Sequence, residues 1–189
     1  MLKTKIVASV ISAVIILVVG ATAMFIVKPP VADKTVDPPT APIGLLENRI
    51  AEPGRSAPDF RLNDLDMMPL RLSDFRGTPV VINFFASWCA PCKVELPLLR
   101  AAHEQSQDSG YVVLGVSSND RREAMEEFAF EESLHYPIVI DGDNSVGVAY
   151  QVMGPPYTFF IDRKGMVSAV ISGELDQKSL DENIVSLLN

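Results

Sequence analysis

The only two cysteines of the chain are separated by two residues in the segment Trp88-Cys89-Ala90-Pro91-Cys92. This segment follows an apolar run of strand length, residues 79–85, and precedes a stretch with apolar residues at helical spacing. Both sulfurs are therefore expected at a helix N-terminus, close enough to bond each other. The free N–H groups and the dipole there lower the pKa of Cys89 and favour its thiolate. Pro91 suits the first helical turn, where the N–H that it lacks is not needed.

The spacing of these cysteines predicts thiol–disulfide exchange, in which Cys89 attacks a client disulfide and Cys92 resolves the mixed disulfide. Three other uses stay open at this point. A structural disulfide would close a very small loop and add little stability. A zinc site would also need His103 and His135, which do not show finger-like spacing. Inert buried cysteines are the third alternative, although a CxxC after a buried strand is a specific arrangement.

The elements that must position this pair alternate between strands and helices. A β-hairpin is expected over residues 60–72, where apolar residues alternate on both sides of a polar turn. Helices are expected from Ala90, from Asp120, where a D-x-x-E pattern marks a start, and from Asp176, with Val185 facing inward. Further strands are expected in residues 111–116, 137–140, 157–161 and 166–171. This alternation predicts an α/β domain that ends in a hairpin and a helix.

Composition excludes several classes of protein. Sixteen basic and twenty-four acidic residues among 189 give a net charge of −8, so a nucleic acid is not expected as a partner. With 48% hydrophobic and 21% charged residues, the chain is not disordered as a whole. Two cysteines are too few for a scaffold held by disulfides.

The N-terminal region predicts export of the domain. Residues 6–27 carry no charge and would form a helix about 33 Å long, enough to cross a bilayer core of about 30 Å. Lys3 and Lys5 precede this span and favour a cytoplasmic N-terminus. A cleaved signal peptide is the alternative, with Ala21-Thr22-Ala23 as the cleavage site. The predicted organisation is a cytoplasmic tip and signal-anchor (1–28), a Pro-rich tether (29–53) and a globular domain (54–189).

Two motifs carry a resemblance to a known family. Residues 81–97, VINFFASWCAPCKVELP, resemble the active-site segment of the membrane-anchored TlpA, ResA and CcmG (DsbE) group of thiol-disulfide oxidoreductases. Residues 154–162, GPPYTFFID, match the second motif of that group, G-x-P-x-T-F-x-I-D. The resemblance runs from about residue 58 to the C-terminus. It implies a thioredoxin fold, a central mixed sheet flanked by helices, with an N-terminal β-hairpin extension and an inserted helix and strand within residues 119–143.

The resemblance also implies roles for residues around the dithiol. Pro156 aligns with the cis-proline that faces the CxxC in thioredoxin folds, where a client strand can pair with the backbone. Pro155 precedes it, and Thr158 follows in the same motif. Together with Trp88, which would shield Cys89, and Pro91, these residues are expected to bind the client or to support the active site.

A third catalytic residue is implied by the same resemblance. Glu95 matches an acidic residue near the active site that helps move the proton of Cys92. A solvated helix carboxylate is the alternative for this position. Asn83 stands where ordinary thioredoxin has a buried aspartate, so the proton relay falls to Glu95 or to water. Pro97 resembles the proline that kinks the active-site helix.

The implied function is reduction of client disulfides, such as those of apocytochrome c during cytochrome c maturation. The domain would lie on the periplasmic side of a bacterial cytoplasmic membrane, held by a single span and recharged by a membrane donor of the DsbD or CcdA type. No cofactor and no metal are expected. Tyr157 departs from the acidic residue that usually follows the cis-proline in cytochrome c maturation members, which weakens the expectation of an apocytochrome client.

Three other functions stay open. A general disulfide oxidant or isomerase would use the same fold and the same cysteines. A thiol peroxidase would need Thr or Ser at the position of Ala86 and Pro at that of Ile82. A copper-binding assembly factor would need CxxxC and a distant His.

Overall fold

The computed structural model describes residues 51–189, which alternate between strands and helices. The predicted membrane span and all but the last three residues of the predicted tether lie outside this range. No helix within residues 51–189 is long and apolar enough to cross a membrane. The strands are β1 (Arg61–Asn63), β2 (Pro69–Arg71), β3 (Val80–Phe85), β4 (Val112–Ser118), β5 (Ile138–Asp141), β6 (Tyr157–Ile161) and β7 (Val167–Ser172). The helices are a 3-10 turn (Leu72–Phe75), α1 (Ala90–Ser109), α2 (Arg122–Glu131), α3 (Ser145–Ala149) and α4 (Gln177–Leu188).

Five of the strands form one mixed sheet in the order β5-β4-β3-β6-β7. β3, β4 and β5 are parallel to one another, whereas β6 runs antiparallel to both β3 and β7. β3 lies at the centre because its sequence is apolar except for Asn83, and all six of its residues are buried. The α/β class, the mixed sheet and the final hairpin are therefore confirmed.

The predicted N-terminal hairpin is also present. β1 and β2 pair antiparallel with Leu62 opposite Leu70, and together they form a separate two-stranded sheet. The hairpin is attached to the rest of the domain near its turn, where the Arg122 guanidinium donates to the carbonyl oxygens of Asp64 and Leu65 at 2.6 and 2.9 Å. An arginine that begins α2 therefore fixes the N-terminal extension against the inserted helix.

Alternate residues of β3 point into two apolar cores, as the pleat of a strand requires. Val81 and Phe85 belong to the core under α1, α2 and α4, whereas Ile82 and Phe84 belong to the core on the opposite face. Asn83 shares the parity of Val81 and Phe85, so its side chain projects toward the helix that carries the cysteines. The centre of the sheet therefore brings one polar group beneath the dithiol.

Three details differ from the sequence-based expectation. α2 begins after Arg121, which occupies the N-cap without a side-chain hydrogen bond, so the prediction that Asp120 caps this helix is wrong. Val185 is 59% exposed and does not face inward. The short helix α3 was not predicted, because a five-residue helix leaves too short a periodic pattern to detect.

Candidate dithiol site

The two cysteines lie at the junction of β3 and α1. The chain turns from Ala86 to Cys89, whose N–H donates to the Ala86 carbonyl at 3.1 Å. Cys89 is the N-cap of α1, and its Sγ accepts a hydrogen bond from the Cys92 N–H at 3.3 Å. The two residues form a disulfide with their Cα atoms 5.3 Å apart. The helix N-terminus thus directs the Cys92 N–H at the sulfur of Cys89, where it would stabilise a thiolate.

The loop before β6 faces this disulfide. The Pro155–Pro156 peptide bond is cis, and the carbonyl oxygen of Pro155 lies 3.6 Å from Cys89 Sγ. Pro156 is buried, and its carbonyl accepts from the Gly173 N–H at 3.0 Å, which fixes the loop to the end of β7. The proline loop is therefore fixed beside the sulfur of Cys89.

Glu95 lies inside the protein, three residues after Cys92 on α1. Its side chain has no exposed surface, so the alternative of a solvated helix carboxylate is wrong. One carboxylate oxygen accepts from Asn83 Nδ2 at 2.8 Å, and the other accepts from the Leu175 N–H at 2.8 Å. Asn83 Nδ2 also donates to Thr158 Oγ1 at 3.1 Å. Hydrogen bonds therefore connect Glu95 on α1, Asn83 on β3 and Thr158 on β6 in one buried polar network.

Burial is the main influence on the ionisation of the Glu95 carboxyl group. Removal of Glu95 from water raises its pKa above the usual value of 4.5, and the negative charge of Glu174 raises it further. The hydrogen bonds from Leu175 and Asn83 act in the opposite direction but do not cancel the effect of burial. A carboxyl group with a raised pKa exchanges protons closer to neutral pH than a solvated one does.

Thr158 is fully buried and accepts a hydrogen bond from Asn83. Its side chain therefore lies inside the domain and not on the surface. The surface beside the dithiol is formed by other residues. Trp88 and Met153 are 61% and 91% exposed, and Pro91 is exposed on the first turn of α1. Sequence reasoning missed Met153, although its place directly before the proline motif was a usable signal.

Sequence reasoning also missed a contact that fixes the turn before Cys89. The carboxylate of Asp120, in the loop between β4 and α2, accepts from the Ser87 N–H at 2.7 Å and from the Ser87 hydroxyl at 3.1 Å. No sequence signal pointed to this contact, because the D-x-x-E pattern assigned Asp120 to a helix cap.

The two histidines do not join the cysteines. His103 lies on α1 with its ring 6.0 Å from that of Tyr136, and His135 is exposed on the segment that leads to β5. Within residues 51–189, no group of three or more His, Cys, Asp or Glu side chains is arranged to hold a metal ion. The zinc alternative therefore has no support in the part of the chain that the structure describes.

A mixed five-stranded sheet, with a CxxC disulfide at a helix N-terminus opposite a cis-proline, defines the thioredoxin-like class. Residues 53–170 match the AhpC/TSA family, and the chain belongs to that family.

Within the thioredoxin-like class, the chain is similar to thiol-disulfide oxidoreductases. The chain is 37% identical to the thiol-disulfide oxidoreductase ResA of Geobacillus thermodenitrificans over 134 residues. This alignment covers 71% of this chain and 77% of that protein. The chain is 31% identical over 129 residues to ResA of Bacillus subtilis, with coverage of 68% and 72%. The thioredoxin domain of a Bacteroides vulgatus thiol-disulfide oxidoreductase superposes with a TM-score of 0.65 at 26% identity, covering 73% of this chain and 99% of that one. The protein is a ResA-like thiol-disulfide oxidoreductase.

Proposed function

We propose that the protein reduces disulfides of client proteins outside the cytoplasm, with Cys89 as the nucleophile and Cys92 as the resolving thiol. The observation that carries the proposal is the position of Cys89 Sγ, which accepts a helix N-terminal N–H and lies 3.6 Å from the carbonyl of the proline loop. A client strand that pairs beside this loop would bring its disulfide to Cys89, which keeps 3% of its surface exposed, rather than to Cys92, which has none.

The exchange proceeds in two balanced steps. The Cys89 thiolate bonds to one client sulfur, the client S–S bond breaks, and the departing client thiolate takes a proton from solvent. Cys92 then loses its proton, and its thiolate attacks Cys89 Sγ. The second client sulfur leaves and is protonated. The client has gained two electrons and two protons, and the protein is left with the Cys89–Cys92 disulfide that the structure contains.

Glu95 accepts the proton of Cys92 in this proposal. Cys92 is fully buried, so its proton passes to a group inside the protein rather than directly to bulk water. Glu95 lies one helical turn further along α1, and its raised pKa makes it a stronger proton acceptor than a solvated carboxylate. Asn83 occupies the centre of the network but carries no titratable proton, so it cannot replace Glu95 as the acceptor.

The proposed location and partners derive from the sequence and its relatives. Residues 6–27 would anchor the chain, residues 29–53 would hold the domain away from the bilayer, and a membrane donor of the DsbD or CcdA type would return the electrons. Clients with cysteine pairs, including apocytochrome c, are the substrates that such a site would accept. Trp88 and Met153 give the rim of the site an apolar character that suits an unfolded client segment.

A general oxidant or isomerase of the same fold is the second candidate, because the geometry of the dithiol does not set the direction of exchange. The peroxidase alternative is disfavoured. The positions that would need a hydroxyl and a proline are held by Ala86 and Ile82, both of which are fully buried and apolar.

The deciding measurement is the reduction potential of the Cys89–Cys92 couple, obtained by equilibrating the full-length protein in detergent with dithiothreitol. We expect a value nearer that of thioredoxin, about −270 mV, than that of DsbA, about −120 mV. A value above roughly −150 mV would assign the protein to the oxidants instead. Cys92→Ser should trap a mixed disulfide through Cys89, whereas Cys89→Ser should trap none.

A further inference from the structure

Asn83 interrupts an otherwise apolar central strand, and its amide is fully buried. The amide nitrogen donates to Glu95 at 2.8 Å and to Thr158 at 3.1 Å. Its oxygen has no hydrogen-bond partner within residues 51–189. An unpaired buried acceptor is uncommon in folded proteins, and it points to another state of the protein in which the oxygen is used.

Glu95 provides such a state. A carboxylate needs donors, whereas a protonated carboxyl also needs an acceptor for its O–H. The Leu175 N–H can only donate, so it serves one oxygen in either state. The nitrogen and oxygen of an amide occupy nearly equivalent positions, and rotation of the Asn83 side chain by half a turn exchanges them. The oxygen would then accept from the Glu95 O–H and from the Thr158 hydroxyl, while the NH2 group would lose its bonds to both, so the turn exchanges two donated hydrogen bonds for two accepted ones.

We propose that Asn83 is a positioning residue that serves Glu95 in both protonation states, donating to the carboxylate and turning to accept from the carboxylic acid. When Asn83 turns, the Thr158 hydroxyl changes from accepting to donating the hydrogen bond between them. The inference deepens the proposed function and rests on it, because it assumes that Glu95 gains and loses a proton during exchange.

The residue type at position 83 follows from this role. An aspartate would place a second carboxyl 2.8 Å from Glu95 and could not donate to it when both are ionised. A leucine of similar size would fill the space but would neither donate nor accept. Two other titratable groups interact with Glu95: Glu174 before α4, whose charge raises the Glu95 pKa, and Tyr136, whose own pKa is raised by burial and further by the charge of Glu95. Cys92 lies on the same helix. None of them is altered in the variants below.

The direct test uses the full-length protein in detergent micelles, with 13C-labelled glutamate and 15N-labelled asparagine. Glu95→Gln and Asn83→Asp assign the two side-chain signals. We expect a nuclear Overhauser contact from the Asn83 NH2 protons to Thr158 while Glu95 is ionised, and its loss at the pH where the Glu95 carboxyl titrates. An unchanged contact through that titration would overturn the proposal.

Asn83→Leu gives a second readout. Because a hydrogen bond to a charged group is worth more than one to a neutral group, we expect the pKa of Glu95 to rise by about one unit. The exchange rate should fall by about tenfold, and this loss should vanish when Glu95 is already glutamine. Ser117→Ala is the matched control, since Ser117 is equally buried on the adjacent strand and its hydroxyl has no partner within residues 51–189.

The outcomes separate the two proposals. A loss on Asn83→Leu that persists in the Glu95→Gln background would show that Asn83 acts through the fold and not through Glu95, which overturns the inference. If Glu95→Gln itself leaves exchange unchanged, the proposed proton role of Glu95 fails. The nuclear Overhauser result would still decide whether Asn83 follows the ionisation of its neighbour.

Discussion

Two carboxyl groups with no exposed surface, Glu95 and Asp141, lie in different parts of the domain. Burial raises the pKa of both. Asp141 ends β5 and accepts from the N–H groups of Val146 and Gly147, at 3.2 and 2.8 Å, and from the Ser145 hydroxyl at 3.4 Å. Its partners therefore belong to the start of one short helix.

The partners, and not the burial, distinguish the two groups. Two of the three donors around Asp141 are backbone N–H groups, which cannot become acceptors, so its partners are mainly a fixed part of the helix start. Glu95 is paired with one backbone donor, from Leu175, and with one amide that is able to reverse, and it lies one turn from Cys92. A buried acid is thus a weak sign of function by itself. A buried acid whose environment accommodates both protonation states, next to a redox pair, is a strong one.

Asp141→Ala should give the largest effect and should act on stability alone. It removes the acceptor of two backbone N–H groups at a helix start, which we expect to lower the free energy of unfolding by about 2 to 4 kcal/mol. Unfolding in urea, followed by circular dichroism, measures this loss. Asp141→Asn keeps one oxygen and should lose less. A change in the reduction potential of the folded variant would contradict the assignment of Asp141 to a structural role.

Glu95→Gln should have a smaller effect on stability, and that effect should depend on pH. The pKa of Glu95 is raised in the folded protein, so above the usual value of 4.5 the folded state binds more protons than the unfolded state. Stability from this residue is therefore present at low pH and is lost as the pH rises toward the folded-state pKa. Removing the titration should therefore favour the variant over the original protein more at pH 7 than at pH 4. The difference in unfolding free energy should change by about 1.4 kcal/mol for each unit of pKa shift.

The same variant should exchange disulfides about tenfold to a hundredfold more slowly, with a flatter pH profile, in an insulin reduction assay. Glu104→Gln is the matched control, because Glu104 is an exposed carboxylate on the same helix. Equal effects of the two substitutions would mean that Glu95 behaves as an ordinary surface acid in exchange.

Local patterns were sufficient to predict most of the fold. The apolar run of β3 required burial on both faces, and the start of α4 was marked by Asp176, whose side chain accepts from the Ser179 N–H at 2.8 Å. The dithiol could be placed for the same reason, since a CxxC between a buried strand and a helix is a contiguous signal.

What could not be predicted depends on residues far apart in the chain. The burial of Glu95 requires the Leu175 N–H, 80 positions away, and nothing near Glu95 in sequence indicates that partner. The start of α3 depends on Asn144 in a left-handed conformation with φ of 59°, and on Asp141 three residues earlier. Asp120 was assigned to a helix cap by a local rule, whereas a contact across 33 positions determines its role.

That contact gives the smallest predicted effect. The Asp120 carboxylate accepts from both the N–H and the hydroxyl of Ser87, two residues before Cys89, so it holds the turn that presents the nucleophile. Asp120→Ala should cost about 1 kcal/mol of stability and slow alkylation of Cys89 by iodoacetamide severalfold in the reduced protein. The fully buried Cys92 should contribute little to that rate.

Asp120→Asn separates geometry from charge in this contact. An asparagine oxygen can still accept from the Ser87 N–H, while its nitrogen donates to the Ser87 hydroxyl, so both bonds survive without the negative charge. If Asp120 acts by holding the turn, the asparagine variant should alkylate at close to the original rate, and Ser87→Ala should show part of the alanine defect. A rate in Asp120→Asn that exceeds the original would instead show that the carboxylate acts mainly by its charge, which disfavours the thiolate of Cys89. Two acids would then influence the cysteines: the charge of Asp120 would act on the thiolate of Cys89, and Glu95 would take the proton of Cys92. Only Glu95, which is buried, would need a partner for its proton.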